Sequence, residues 1–134
     1  MTLRLSSGQR QFLLDEAAQA APAECCGLIL GRDGVVQELV PARNVARDPL
    51  RSFEIDPATL LATHRSARGA GRRVIGHWHS HPNGRREPSR RDVARATDNG
   101  AIWLIIAGTQ ISAWRAEHRN QHPAGFVPVA LEII

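Results

Sequence analysis

The chain has 134 residues, 43% of them hydrophobic and 22% charged, which is enough apolar side chain for a packed core and too much for a disordered, collagenous or low-complexity chain. Its 17 basic residues, all arginine, outnumber 13 acidic ones; the formal charge of +4 only weakly suggests a nucleic-acid partner, and no lysine is present to accept an isopeptide bond. The longest apolar run, Ala101 to Ala107, falls far short of the roughly 20 residues that a bilayer-crossing helix needs, so no membrane partner is expected.

In chain order, Leu3 and Leu5 suggest a short first strand. Gln9 to Ala21, preceded by Ser7, carries Phe12, Leu13, Ala17 and Ala20 near helical spacing and stops at Pro22. Cys25 to Leu30 and Val35 to Val40, joined through Gly31 and Asp33-Gly34, read as a hairpin, and Pro41 to Leu50 as an irregular crossing loop. Asp56-Pro57 places a capping residue before a proline at the first helical position, which predicts a second helix over Ala58 to Arg68. Val74 to Ser80 alternates as a strand that turns out at Pro82-Asn83-Gly84, and Ser89 can cap a third helix with Arg90 to Thr97 as its body. Ala101 to Ile106, Gln110 to Ala116 and Phe126 to Ile133 read as closing strands, so helices and strands intermix and the class is α/β or α+β. No repeat, linker or composition shift divides the chain, and 1–134 is expected to be one domain. The N-terminal residues carry no secretory pattern, which makes the cytoplasm the expected compartment. The adjacent Cys25 and Cys26 cannot readily bridge each other, and they fit core packing in a reducing environment better than ligation.

Chemistry concentrates in Val74-Ile75-Gly76-His77-Trp78-His79-Ser80-His81-Pro82, where histidines recur at every second residue and so project from one face of a strand. Asp92 lies three positions after Ser89, and a helix capped by that serine brings the carboxylate to the same side as the hydroxyl. His79, His81 and Asp92 can then converge as two nitrogens and one oxygen, leaving a tetrahedral position open, the arrangement of catalytic rather than structural zinc. Amide hydrolysis at such a centre also needs a carboxylate to carry a proton, and Glu24, just ahead of a buried strand, is the candidate.

His79-Ser80-His81-Pro82 followed by Pro88-Ser89-Arg90-Arg91-Asp92, together with Glu24-Cys25-Cys26-Gly27-Leu28-Ile29-Leu30-Gly31 upstream, resembles the JAMM or MPN+ metalloproteases. Asn44 and Phe53-Glu54-Ile55-Asp56-Pro57 fall where that family has similar residues, and the likeness runs from about residue 3 to residue 116. The resemblance implies a curved mixed sheet flanked by helices on both faces, an MPN/JAB domain of cytidine-deaminase-like architecture. It implies one Zn2+ held by His79, His81 and Asp92, with Glu24 as general base and Ser89 as the residue that steadies the oxyanion. No long insertion follows Phe53, so the resemblance is to the small prokaryotic members. Those members imply hydrolysis after the C-terminal Gly-Gly of a ubiquitin-like or sulfur-carrier protein, the bond being a peptide or an isopeptide.

Other residues are read more plainly. His77 shares the histidine face but lies outside the ligand pattern, which suits a supporting or structural role. His64, His118 and His122 have no partner at ligand spacing and are expected in solvent. Arg85, Arg86, Arg90 and Arg91 flank the metal motif as a solvated face, or as a docking surface for an acidic ubiquitin-like partner or a nucleic-acid backbone. Trp78, Trp103 and Trp114 are expected to pack rather than stack on bases, so a nucleic acid is not the favoured partner; a homodimer is left open. The rival reading is a non-catalytic module of the same fold that binds a protein or RNA. A cytidine-deaminase-like enzyme would need a Pro-Cys-x-x-Cys pair, which the sequence lacks.

Overall fold

The computed structural model describes residues 1–96, 100–119 and 122–134. The elements run β1 (Thr2–Leu5), α1 (Ser7–Ala20), β2 (Cys26–Arg32), β3 (Val35–Ala42), α2 (Pro57–Gly69), β4 (Val74–Ser80), α3 (Arg90–Arg95), β5 (Ile102–Ala107), β6 (Gln110–Arg119) and β7 (His122–Ile133). Helix α1 starts two residues earlier than its apolar spacing suggests because Ser6, not Ser7, caps it. The Ser6 hydroxyl accepts from Gln9 N at 3.0 Å while Ser6 N donates to Gln9 Oε1 at 2.9 Å. At α2, Asp56 holds the cap position ahead of Pro57 but its carboxylate accepts from the Thr59 hydroxyl at 3.0 Å instead of from a backbone amide. Helix α3 ends at Arg95, and Thr97 lies outside the described residues.

The strands follow the order β1-β3-β2-β4-β5-β6-β7, and the sheet closes on itself because β1 also pairs in parallel with β7, from Thr2 opposite Ala130 to Leu5 opposite Ile133. This closure goes beyond the curved sheet expected from the sequence, and it removes the two edges that an open sheet would expose. Strands β4 and β5 are also parallel, so the sheet is mixed.

Every strand contributes to one apolar cluster that fills the inside of the closed sheet: Leu3, Leu5, Ile29, Val36, Trp78, Leu104, Ala113 and Val129, with Leu13 of α1 buried among them. The period of two then sends alternate residues of β4 to opposite sides. Trp78 faces that interior, whereas His77 and His79 meet Phe53 and Trp103 in a second, smaller cluster. Gly27, opposite Trp78 in the β2–β4 register, leaves the room that the indole needs, since a Cβ there would collide with the indole and with the Val40 carbonyl. Helix α2 buries Thr63 and Ala67 beside β2, β3 and β4, so helices flank the sheet on both sides. No described helix is long and apolar enough to cross a membrane.

Candidate metal centre

Backbone pairing brings the site's parts to one end of β4. His79 is held in register between Cys26 of β2 and Ile105 of β5, and His81, one residue beyond the strand, continues the β5 pairing through a bond from its N–H to the Ile106 carbonyl at 2.8 Å. Ser80 ties down the start of β2: its N donates to the Cys25 carbonyl at 3.0 Å and its hydroxyl accepts from Cys25 N at 2.8 Å. Glu24, just ahead of this joint, is thereby placed beside the histidines, and its N donates to the Pro49 carbonyl at 2.8 Å.

Helix α3 supplies the carboxylate through its cap. The Ser89 hydroxyl accepts from Asp92 N at 3.0 Å and Ser89 N donates to Asp92 Oδ2 at 2.8 Å, a reciprocal pair that orients Asp92 back toward β4. Asp92 Oδ2 then lies 3.0 Å from His81 Nε2 and 3.3 Å from His79 Nε2, with the two nitrogens 3.0 Å apart. A carboxylate oxygen of Glu24 falls within 4.8 Å of the same two histidines. Glu24, His79, His81 and Asp92 are all buried.

This donor set fits a divalent metal. Ligands bonded at about 2.0–2.1 Å in a tetrahedron stand about 3.3 Å apart, close to the separations of the two Nε2 atoms and Oδ2. His81 Nδ1 donates to the Arg85 carbonyl at 2.8 Å, so in the neutral ring the Nε2 lone pair faces the site. Three electron-rich atoms packed this tightly repel one another unless a cation is shared among them. Burial would raise the Asp92 carboxyl, but hydrogen bonds with His79, His81 and Ser89 N–H hold it well below the usual carboxylate range. Burial opposes a proton on His81 as well, yet Asp92 and the Arg85 carbonyl push its pKa up, whereas fully buried His79 is pushed down and stays neutral.

Glu24 is placed differently. Desolvation raises its carboxyl to about 7, so near neutral pH it is divided between acid and base forms, and its Oε1 is buried without a hydrogen-bond partner among the described residues. The site's entrance is a groove of about 650 Å³ whose lining includes Glu24, His81, Ser89, Leu50, Arg51, Arg85 and Arg90.

Sequence reasoning did not foresee how two loop residues support the centre. The Phe53 ring stacks on His79 with centroids 4.2 Å apart and planes at 21°, and its carbonyl accepts from the Arg95 guanidinium. Asn44 uses its whole amide: Nδ2 donates to the carbonyls of Glu24 and Ser52, while Oδ1 accepts from Ala46 N and Glu54 N. It thus joins the backbone of Glu24 to the loop that carries Phe53. The sequence signals their positions, through an asparagine inside an irregular loop, a residue type that satisfies stray backbone groups, and through the family resemblance at Asn44 and Phe53, but not these contacts.

His77 does not join the donor set. Its ring meets the Trp103 ring at 4.1 Å between centroids, its Nδ1 has no partner among the described residues, and burial pushes its pKa down to about 3. His64 is exposed at the rim of a separate cavity of about 520 Å³, and the side chains of His118 and His122 lie outside the described residues. Cys25 is half-buried against the interior cluster and Cys26 is buried in the second one; burial raises both thiols, Cys26 to about 12. Arg85, Arg86, Arg90 and Arg91 are exposed, and Arg91 approaches Asp48 at 3.8 Å.

Residues 7–117 match the family described as prokaryotic homologs of the JAB domain. The chain is similar to a desampylase of Haloferax volcanii, 33% identical over 78% of this chain and 80% of that one. It is 37% identical to a probable TtuB-protein conjugate cleaving protease of Thermus thermophilus, over 77% of this chain and 73% of the relative. A CysO-cysteine peptidase of Mycobacterium tuberculosis is 27% identical over 71% of this chain and 66% of its own length. A solution structure of a protein from Desulfitobacterium hafniense superposes with a TM-score of 0.85 at 28% identity, covering 100% of this chain and 93% of that one. A structure described as a JAMM metalloprotease-like zinc site in the proteasome and signalosome shares the fold, with a TM-score of 0.59 at 19% identity over 98% of this chain and 99% of that one.

Proposed function

The chain belongs to the family of prokaryotic homologs of the JAB domain, the small JAMM metallopeptidases, and from that premise we propose that it hydrolyses the amide bond after the C-terminal Gly-Gly of a ubiquitin-like or sulfur-carrier protein. The observation that carries this reading is the convergence of His79 Nε2, His81 Nε2 and Asp92 Oδ2 within 3.3 Å, with the buried carboxyl of Glu24 beside them. His79, His81 and Asp92 would hold one zinc ion, the divalent metal best suited to two imidazoles and a carboxylate in a tetrahedral set. When bound, it would supply Lewis acidity that polarises the scissile carbonyl and makes water a better nucleophile.

The protein's own groups do the rest. Glu24, its carboxyl raised to about 7, takes a proton from the attacking water and delivers it to the leaving amine as the C–N bond breaks. Ser89 Oγ already accepts from Asp92 N, which leaves its hydroxyl proton to donate to the oxygen that gains charge as the carbonyl carbon becomes tetrahedral. The Arg85 carbonyl and the Phe53 ring fix the orientations of His81 and His79, so that neither has to reorganise during the reaction. The open groove suits an extended tail, for which glycine offers the least bulk. The relatives named for desampylation, for conjugate cleavage and for release of cysteine from a carrier favour this class of substrate.

The test is a ubiquitin-fold reporter that ends in Gly-Gly followed by a fluorescent amide. The wild-type protein is expected to release the amine. Glu24→Gln is expected to keep its metal while losing about 10²–10⁴ in turnover, and a fully active Glu24→Gln protein would sink the mechanism.

A further inference from the structure

The mouth of the groove is cationic on both lips. Arg51 comes from the loop before α2, Arg85 from the segment between β4 and α3, and Arg90 from the first residue of α3. Arg51 is 77% exposed and approaches only Asp48, at 3.8 Å, a carboxylate it shares with Arg91. Arg85 and Arg90 have no acidic partner among the described residues, and Leu50, 54% exposed, adds an apolar contact to the same lip. The acidic residues lining the groove are Glu87 and the buried Glu24, and the whole chain carries +4.

Exposed guanidinium groups in excess of their acidic neighbours around a hydrolytic groove raise the local concentration of a partner with a negative face and orient it before its tail enters. Resting on the reading above, we infer that Arg51, Arg85 and Arg90 form the docking rim for an acidic carrier protein, and that this rim selects the substrate by the charge of its folded body, not by its tail. The set differs from the cluster visible in the sequence. Arg51 joins it from a distant loop and shares Asp48 with Arg91, whereas neither Arg86 nor Arg91 lines the groove. A protein is favoured over RNA because the large hydrophobic side chains exposed among the described residues are aliphatic, which leaves no aromatic platform on which bases could stack.

The experiment measures binding and cleavage of labelled probes by the full-length protein at two ionic strengths. Two probes share one ubiquitin fold and one Gly-Gly amide tail, one with an acidic face beside the tail and one with a basic face; the third is a labelled RNA oligonucleotide. The acidic probe is expected to bind at least about tenfold more tightly than the basic one at low salt, with the gap closing as salt rises. The paired substitution Arg51→Glu and Arg90→Glu is expected to invert that preference, a ratio taken within one protein and so indifferent to how much of it is folded. Equal affinities for the two bodies, or tighter binding of RNA than of the acidic probe, would overturn the inference. Cleavage of both tailed probes without a charge preference would overturn the rim and leave the peptidase reading standing, whereas charge-selective binding with no cleavage would do the reverse.

Discussion

The two faces of β4 come from one alternating strand and are built to opposite ends. Trp78 looks into the closed sheet, where it shares one buried cluster with Leu3, Leu5, Leu13 and Leu104 and apolar burial supplies stability. His79, its neighbour in sequence, looks the other way, toward a place where Glu24, His81 and Asp92 are buried too. Burying ionisable groups costs free energy unless they are paired or ligate a cation. One face therefore holds the fold together, and the other uses part of that stability to keep a reactive cluster buried.

The sharpest way to break this comparison is to remove one side chain from each face of the metal-free protein. Trp78→Ala should lower the unfolding free energy by about 3–5 kcal/mol in a denaturant titration, because it opens a cavity lined from several strands. His79→Leu should change it by no more than about 1 kcal/mol while abolishing metal binding, since an apolar side chain of similar size suits the contact with Phe53 and Trp103. Equal losses from both would show that the faces are not divided in this way.

Glu24 allows the second comparison. Its folded-state pKa is raised from 4.5 to about 7, so folding favours the protonated form; the stability it allows is fully present below pH 4.5 and is lost as pH rises through 7. Glu24→Gln, which cannot ionise, should match the wild type near pH 4.5 and exceed it at pH 8, by up to about 3 kcal/mol, when both are unfolded without metal. A difference that does not change with pH would mean that the carboxyl carries no burial penalty.

Asn44 tests whether the site depends on its loop. Asn44→Ala should cost about 1–3 kcal/mol, as it leaves backbone groups of Glu24, Ser52, Ala46 and Glu54 without their partner. It should lower kcat while metal content holds, because it anchors the Glu24 backbone and none of the three proposed ligands; loss of metal with unchanged kcat would contradict that placement. The smallest effect expected is at Cys26. Its thiol, raised to about 12 by burial, should resist alkylation in the folded protein at pH 8, and rapid labelling would show that the second cluster opens.

The local parts of this architecture were legible in the sequence. The alternation of His77, Trp78 and His79 specifies two faces wherever a strand forms, and Ser89 and Asp92 meet across a single helical turn, so both could be read without a fold. The parts that depend on distant pairing were not. Closure of the sheet joins residues 2–5 to 130–133, and no local pattern encodes that register. The stacking of Phe53 on His79 and the reach of Asn44 to Glu24 depend on how the loop ahead of α2 folds back, and Arg51 enters the groove by the same route. Asp56 shows the reverse, a local cap signal whose carboxylate the nearby Thr59 hydroxyl occupies.

The central claim is that two histidines and one aspartate, delivered by β4 and the cap of α3, form a metal centre. Elemental mass spectrometry of the purified protein beside Asp92→Asn and His79→Ala tests it most directly. The account predicts about one zinc per chain in the wild type and none in either variant. A wild-type protein that holds no metal after zinc is supplied, or variants that hold as much as the wild type, would contradict it.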